Sequence, residues 1–125
     1  GQEVTYLDIS TSHTARFARY LFEKHKANIK IILLDSKSQV PQLETYNTII
    51  CLDVIEHIPD AKQTIKTFYT HLAENGRLIA TNIYYNPNSS RGDHRPTGIT
   101  RSFMKEIGFK EMNGLMWVRE QAKDP

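Results

Sequence analysis

Cysteine is almost absent: Cys51 is the single one in 125 residues. An internal disulfide is thereby excluded, and a reducing compartment fits. No apolar run approaches the roughly 20 residues needed to cross a bilayer. No signal-peptide pattern opens the chain, so a cytoplasmic protein without a membrane partner is expected. Charge of one sign is also scarce. The formal net charge is +2, and the cationic clusters at Lys24 to Lys30 and Lys105 to Lys110 read as solvated helix ends. Nucleic acid is therefore not indicated as a partner. Internal repeats and low-complexity segments are missing as well. What remains is an ordinary globular composition, long enough for one domain and not two.

The apolar residues that are present alternate between two periods. Val4 to Leu7 forms a strand stopped by Asp8. A helix follows, capped by Ser10, Thr11 or Ser12, with Phe17, Ala18, Leu21 and Phe22 at helical spacing. Ile29 to Leu34 and Tyr46 to Leu52 are nearly continuous apolar runs, as strands buried on both faces of a parallel sheet require. A second helix from Asp60 to Glu74 carries Ala61, Ile65, Phe68, Tyr69 and Leu72 on one stripe. Asn75-Gly76 reads as its stop and Arg77 to Ile83 as the next strand. A polar loop spans 84 to 98. Thr100 caps a short helix with Phe103, Met104 and Ile107, which Gly108 closes. Phe109 to Met112 and Leu115 to Arg119 form a hairpin around Asn113-Gly114, and the tail after it is expected to fray. The order predicts an α/β fold: a mostly parallel sheet with an antiparallel C-terminal hairpin.

The stretch CLDVIEHIPD places Asp53, Glu56, His57 and Asp60 directly after a strand. Three readings compete for it: a metal site, an acid/base pair, or the lip of a ligand pocket. In open parallel α/β sheets ligands bind beyond the carboxyl ends of the strands. Three strands here end in Asp8, Asp35 and Asp53, which the topology would bring to one rim. Turn chemistry explains one such aspartate; three in this order point to a ligand.

DVIEHIPD, the later LAENGRLIATNIYYNP and the opening VTYLDIS resemble the class I S-adenosylmethionine-dependent methyltransferases, over essentially the whole chain. The resemblance implies a Rossmann-like sheet, S-adenosylmethionine as cofactor, and methyl transfer to an acceptor that the sequence does not identify. It implies that Asp8 takes the ribose hydroxyls with Ile9 against the adenine. Asp35 and Ser36 would border the adenine edge, and Cys51, Leu52 and Asp53 would pass the methionine portion, mostly through backbone. His94, Thr100 and Gly108-Phe109 match weaker family positions. Glu74-Asn75-Gly76 stands where the family has Pro-Gly-Gly.

One departure is large. The family's first strand and its Gly-x-Gly-x-Gly loop, which lets backbone approach the cofactor, have no match here. In the family's sheet order, 3-2-1-4-5-7-6, that strand is central. The reading is an N-terminally truncated domain whose second and fourth strands each lose a neighbour. Direct pairing of those two strands, a second copy as a homodimer, or a missing N-terminal segment would complete the sheet. The alternative function is a non-catalytic binding module working through its open edge.

For catalysis, His57 or His94 could take a proton from the acceptor. Asp53, Glu56, His57 and His94 also resemble the E-x-x-E-H metal set of small-RNA and ubiquinone-pathway O-methyltransferases, with Asp in place of the first Glu; the expected assignment is no metal. Cys51 reads as core, because no base adjoins it. Arg91-Gly92-Asp93 reads as a chance tripeptide, and Asn88-Ser89-Ser90 as a sequon relevant only to a secreted protein. Trp117, Tyr84 and Tyr85 are core or substrate walls.

Overall fold

A computed structural model describes residues 2–37, 41–87 and 94–121. The Arg91-Gly92-Asp93 tripeptide, the sequon and the last four residues lie outside the described residues. Two compact units form, Gly1–Gln42 and Leu43–Pro125.

The first unit is a β-α-β element: β1 (Val4–Ile9), α1 (His13–Lys24) and β2 (Ile29–Leu34). β1 pairs with β2 in parallel, Val4 opposite Ile29 through Ile9 opposite Leu34. The strand passes through Asp8 instead of stopping there, because Asp8 and Ile9 keep the pairing and Ser10 N–H still donates to Leu34 O at 2.7 Å. Of the three cap candidates, Ser12 acts: its hydroxyl accepts from Ala15 N–H at 2.8 Å. The expected stripe on α1 is shifted. Ala15 is the buried residue, while Phe17 is 61 % exposed and stacks on Tyr20 with ring centroids 6.3 Å apart. Leu21 and Phe22 are half-buried, and Phe22 meets the Tyr6 ring edge to face.

The second unit holds β3 (Tyr46–Cys51), a 3-10 turn (Ile55–His57), α2 (Ala61–His71), β4 (Leu72–Ala80), α3 (Arg101–Ile107), β5 (Phe109–Asn113) and β6 (Met116–Arg119). The strand order is β3-β4-β6-β5; β3 and β4 are parallel and the other pairs antiparallel. Each sheet therefore has the neighbours that the family order gives its strands, second beside third and fourth-fifth-seventh-sixth. The first strand has no counterpart among the described residues. Among the described residues β1 pairs with β2, and β3 with β4.

α2 is shorter than expected. Asp60 caps it by accepting from Gln63 N–H at 3.1 Å, but it ends at His71, and Leu72 already pairs with Tyr46. Asn75-Gly76 lies inside β4 as a bulge. Between the pairs Tyr46–Leu72 and Thr48–Arg77, β4 advances five residues while β3 advances two. Asn75 takes the left-handed backbone (φ 62°). Gly76 packs so closely that a Cβ there would sit 2.7 Å from Ala73 O. The expected end of helix was thus a real backbone break displaced in role.

The core belongs to this unit. Ile55, Ile65, Leu72, Leu78, Met104, Phe109 and Trp117 are buried between sheet and helices. Thr100 caps α3 and left-handed Gly108 ends it, as expected. The hairpin turn is held by Asn113, whose side-chain oxygen accepts from Leu115 N–H at 2.9 Å. Burial on both strand faces is not met: Ile50 on β3 is 65 % exposed and Ile31 on β2 37 %. No helix among the described residues is long and apolar enough to cross a membrane.

Candidate functional site

In the first unit, Asp8 sits near the carboxyl end of β1, opposite Leu33, and Asp35 directly follows β2. The parallel pairing brings these two strand ends together, while Asp53, the third member of the expected rim, follows β3 of the second unit. Asp8 is half-buried and held at both oxygens. Tyr6 O–H donates to Oδ2 at 2.7 Å, and Ile9 N–H donates to Oδ1 at 2.7 Å. A carboxylate has about four lone-pair positions, so one on each oxygen stays open to a ligand. Ile9 is half-buried beside it; Asp35 and Ser36 are exposed.

In the second unit, the residues after β3 and after β4 are tied to one another. Asp53 adopts the left-handed region (φ 54°), as does Asn82 (φ 60°), a conformation that Asp and Asn tolerate better than other side chains. Thr81 N–H donates to Cys51 O at 3.2 Å, and Asp53 N–H donates to Thr81 Oγ1 at 2.7 Å. The Thr81 hydroxyl returns a bond to Asp53 Oδ1 at 3.3 Å. Asn82 Nδ2 then spends its two hydrogens on two carboxylates: Asp53 Oδ1 at 3.2 Å and Glu56 Oε1 at 2.9 Å.

Glu56 is the unusual member, a carboxylate only 2 % exposed. Its Oε2 has no hydrogen-bond partner. Its backbone carbonyl accepts from Arg95 N–H at 2.8 Å, which fixes the segment carrying His94. His57 Nε2 lies 3.7 Å from Glu56 Oε1. The His57 and His94 rings meet edge to face, centroids 4.4 Å apart, and Tyr85 O–H stands 3.5 Å from His94 Nδ1. Thr97 pins this segment back, donating to Ile83 O at 2.6 Å while its N–H reaches Tyr85 O at 2.9 Å. The two expected catalytic histidines are therefore adjacent, though 37 residues apart in sequence (94 − 57).

The three readings of CLDVIEHIPD can now be compared. Asp60 is a helix cap. Among the described residues no group of three or more His, Cys, Asp and Glu is arranged to hold a metal ion. Asn82 holds Asp53 Oδ1 and Glu56 Oε1 with its two side-chain hydrogens, and Glu56, His57 and His94 stand together at the strand-end lip.

Cys51 is buried at 6 % exposure. Burial pushes its thiol up to about 12, with the Glu56 carboxylate adding to the shift, so it is a neutral core group and not a nucleophile. Leu52 is 52 % exposed. Tyr84 has other partners: it accepts from Trp117 Nε1 at 3.3 Å and lies under the Arg101 guanidinium at 4.5 Å. Burial raises its phenol above the ordinary value. Tyr85 is the tyrosine that joins the site. A hollow of about 420 Å³, bordered by Asn75, Lys110, Met112 and Val118 among others, holds none of these groups.

Thr81 and Asn82 were missed by reading the sequence as strand. Their signal was faint: two small polar residues following an apolar run, one of them a type that accepts left-handed backbone.

Comparisons with known proteins bear on the family and the fold. The sequence profile described as a methyltransferase domain matches residues 1–78. The chain is 33 % identical over 86 residues to a ubiquinone biosynthesis O-methyltransferase from Rickettsia akari (strain Hartford), covering 66 % of this chain and 32 % of the relative. An S-adenosylmethionine-dependent methyltransferase from Clostridium acetobutylicum superposes with a TM-score of 0.54 at 23 % identity, over 63 % of this chain and 33 % of that one. A methyltransferase from Pyrococcus furiosus gives 0.54 at 12 % identity, over 95 % of this chain and 64 % of that one. At these identities the structures speak for the fold alone. The chain spans about a third of the length of the first two relatives. With more than half its length inside the family profile, and strand neighbours in the family's order, the chain belongs to the methyltransferase domain family and has the fold of the class I S-adenosylmethionine-dependent methyltransferases.

Proposed function

We propose that this chain is part of a methyltransferase domain that moves a methyl group from S-adenosylmethionine to an acceptor carrying an ionisable hydroxyl or amine. The cofactor, when bound, supplies a methyl group activated on a sulfonium. The observation that carries the reading is the membership in the methyltransferase domain family together with the paired rings of His57 and His94 beside buried Glu56.

In this reading Asp8 accepts from the two ribose hydroxyls through its open lone pairs, with Ile9 against the adenine and Asp35 and Ser36 at its edge. Cys51, Leu52 and Asp53 offer backbone to the methionine portion. His57 or His94 takes the acceptor proton, and Glu56, whose Oε1 lies 3.7 Å from His57 Nε2, orients His57. Transfer is an in-line displacement, so positioning carries most of the effect. A reducing, cytoplasmic setting suits a chain with a single cysteine and hence no internal disulfide.

The test is calorimetry with S-adenosylhomocysteine. Binding by this chain, lost in Asp8→Asn, supports the reading. An upstream strand with its glycine loop, or a second copy, is proposed to complete the sheet; a chain lengthened upstream should then bind more tightly, or binding should rise with dimerisation. A second reading, a non-catalytic interaction module, is favoured by one observation. Ile50, Leu52 and Val54 on and after edge strand β3 are 65 %, 52 % and 44 % exposed, an open apolar row of the kind that binds partners. Absence of cofactor binding in both the short and the lengthened chain would favour it.

A further inference from the structure

Tyr6 and Asp8 are two residues apart on β1, so their side chains leave the same face of the strand. The phenol reaches up that face to Asp8 Oδ2 at 2.7 Å, and Ile9 N–H holds the other oxygen at the same distance. The Tyr6 ring is itself fixed from the far side by Phe22 of α1, centroids 5.5 Å apart and nearly perpendicular. A chain of contacts thus runs from the helix through the tyrosine to the carboxylate.

A free aspartate on a strand end rotates about two bonds and must be immobilised when a ligand arrives. Here both oxygens are tied before any ligand is present. Each oxygen can accept a second bond beside its tether, so the carboxylate can accept two donors at once. Two adjacent hydroxyls supply such a pair; a single hydroxyl leaves one oxygen unmatched. We propose that Tyr6 is a positioning residue that locks the Asp8 carboxylate for a vicinal diol, making this end of the chain selective for a ribonucleoside over its 2′-deoxy counterpart. The inference rests on Asp8 being the ribose acceptor, as proposed above.

The phenol is suited to the task because it stays protonated. Burial, the bond to Asp8 and the carboxylate's charge push it up to about 12, so it remains a donor throughout the neutral range. Phenylalanine at this position keeps the ring against Phe22 and removes only the donor.

The experiment measures equilibrium binding of S-adenosylhomocysteine and of its 2′-deoxy analogue to the wild type, Tyr6→Phe, Asp8→Asn and the double variant. Tyr6→Phe should weaken S-adenosylhomocysteine by about three- to tenfold, the cost of ordering one side chain on binding, and weaken the 2′-deoxy analogue less than about twofold, since that ligand never uses both oxygens. On the Asp8→Asn background the tyrosine change should add nothing. Equal losses for both ligands, or additive losses in the double variant, would make Tyr6 a packing residue and overturn the inference. Unchanged binding in Asp8→Asn, or no binding by the wild type in both this chain and the chain lengthened upstream, would remove the ribose assignment itself, and with it the inference. In the unliganded chain, the phenol signal of Tyr6 in carbon-13-labelled protein should titrate at lower pH in Asp8→Asn than in the wild type; an unmoved titration also counts against the lock.

Discussion

Replacing Asn82 tests the central feature of the candidate site. Its side chain donates to Glu56 Oε1 at 2.9 Å and Asp53 Oδ1 at 3.2 Å from a left-handed backbone at φ 60°. Asp53 is exposed, so its bond is worth little. Glu56 is 2 % exposed and its other oxygen has no hydrogen-bond partner, so losing Asn82 strips a buried carboxylate of a charge-assisted bond, about 1.5–3 kcal/mol. Asn82→Gly accepts the backbone freely and adds only about 0.5–1 kcal/mol of unfolded-state entropy. Asn82→Ala must hold the left-handed region, at about 1–2 kcal/mol. The expected losses are therefore about 3 kcal/mol for glycine and about 4 for alanine, by the same principles. The assay is urea unfolding followed by Trp117, the single tryptophan, which is 1 % exposed in the same unit. With a slope of about 2 kcal/mol/M, the glycine variant should shift the midpoint by about 1.5 M. Asn82→Asp sharpens the test: it tolerates the backbone but sets a third carboxylate against Asp53 and Glu56 in place of a donor, so it should cost at least as much as the glycine variant. If both Asn82→Gly and Asn82→Ala unfold within about 0.5 kcal/mol of wild type, the clamp is not what holds Glu56.

Other expectations follow from single contacts. Arg119 donates to Tyr69 O at 2.9 Å and Leu72 O at 2.6 Å, closing the end of α2; Arg119→Leu should cost about 2–3 kcal/mol in the same unfolding assay. Gly76→Ala drives a methyl toward Ala73 O, 2.7 Å away, and should cost about 1–3 kcal/mol through the bulge of β4. The Cys51 thiol is raised from 9.0 to about 12 and the Tyr6 phenol from 10.0 to about 12. Both are protonated in the folded state below their unfolded values. Their stabilisation is thus complete below about pH 9 and is lost as pH rises toward 12, so stability should fall with alkali, less steeply in Cys51→Ala. At pH 8 native Cys51 should react with a thiol reagent at least about 1,000-fold more slowly than after urea unfolding.

The division between what the sequence determined and what the tertiary structure decided follows the range of the forces involved. Local rules reached the elements. Apolar runs became strands, Ser12, Asp60 and Thr100 became caps, and Gly108 ended its helix, because capping and periodicity involve neighbours a few residues apart. The family resemblance reached the strand order for the same reason, since it is carried by contiguous motifs. Local rules failed where distant partners compete for the backbone. α2 gave way at His71 because pairing with Tyr46 of β3 claimed Leu72, and Phe17 stayed outside because nothing in the described residues covers its face of α1. The site shows the same split. Asp53, Glu56, His57 and His94 were visible as ionisable groups out of place after a strand and in a loop. That Asn82 would bind two of them, that Glu56 would lose its water, and that His94 would close on His57 depended on β4 lying beside β3 and on Arg95 meeting the Glu56 carbonyl. Those contacts join residues 26 to 39 apart (82 − 56 and 95 − 56), and no pattern within a strand or a turn encodes them.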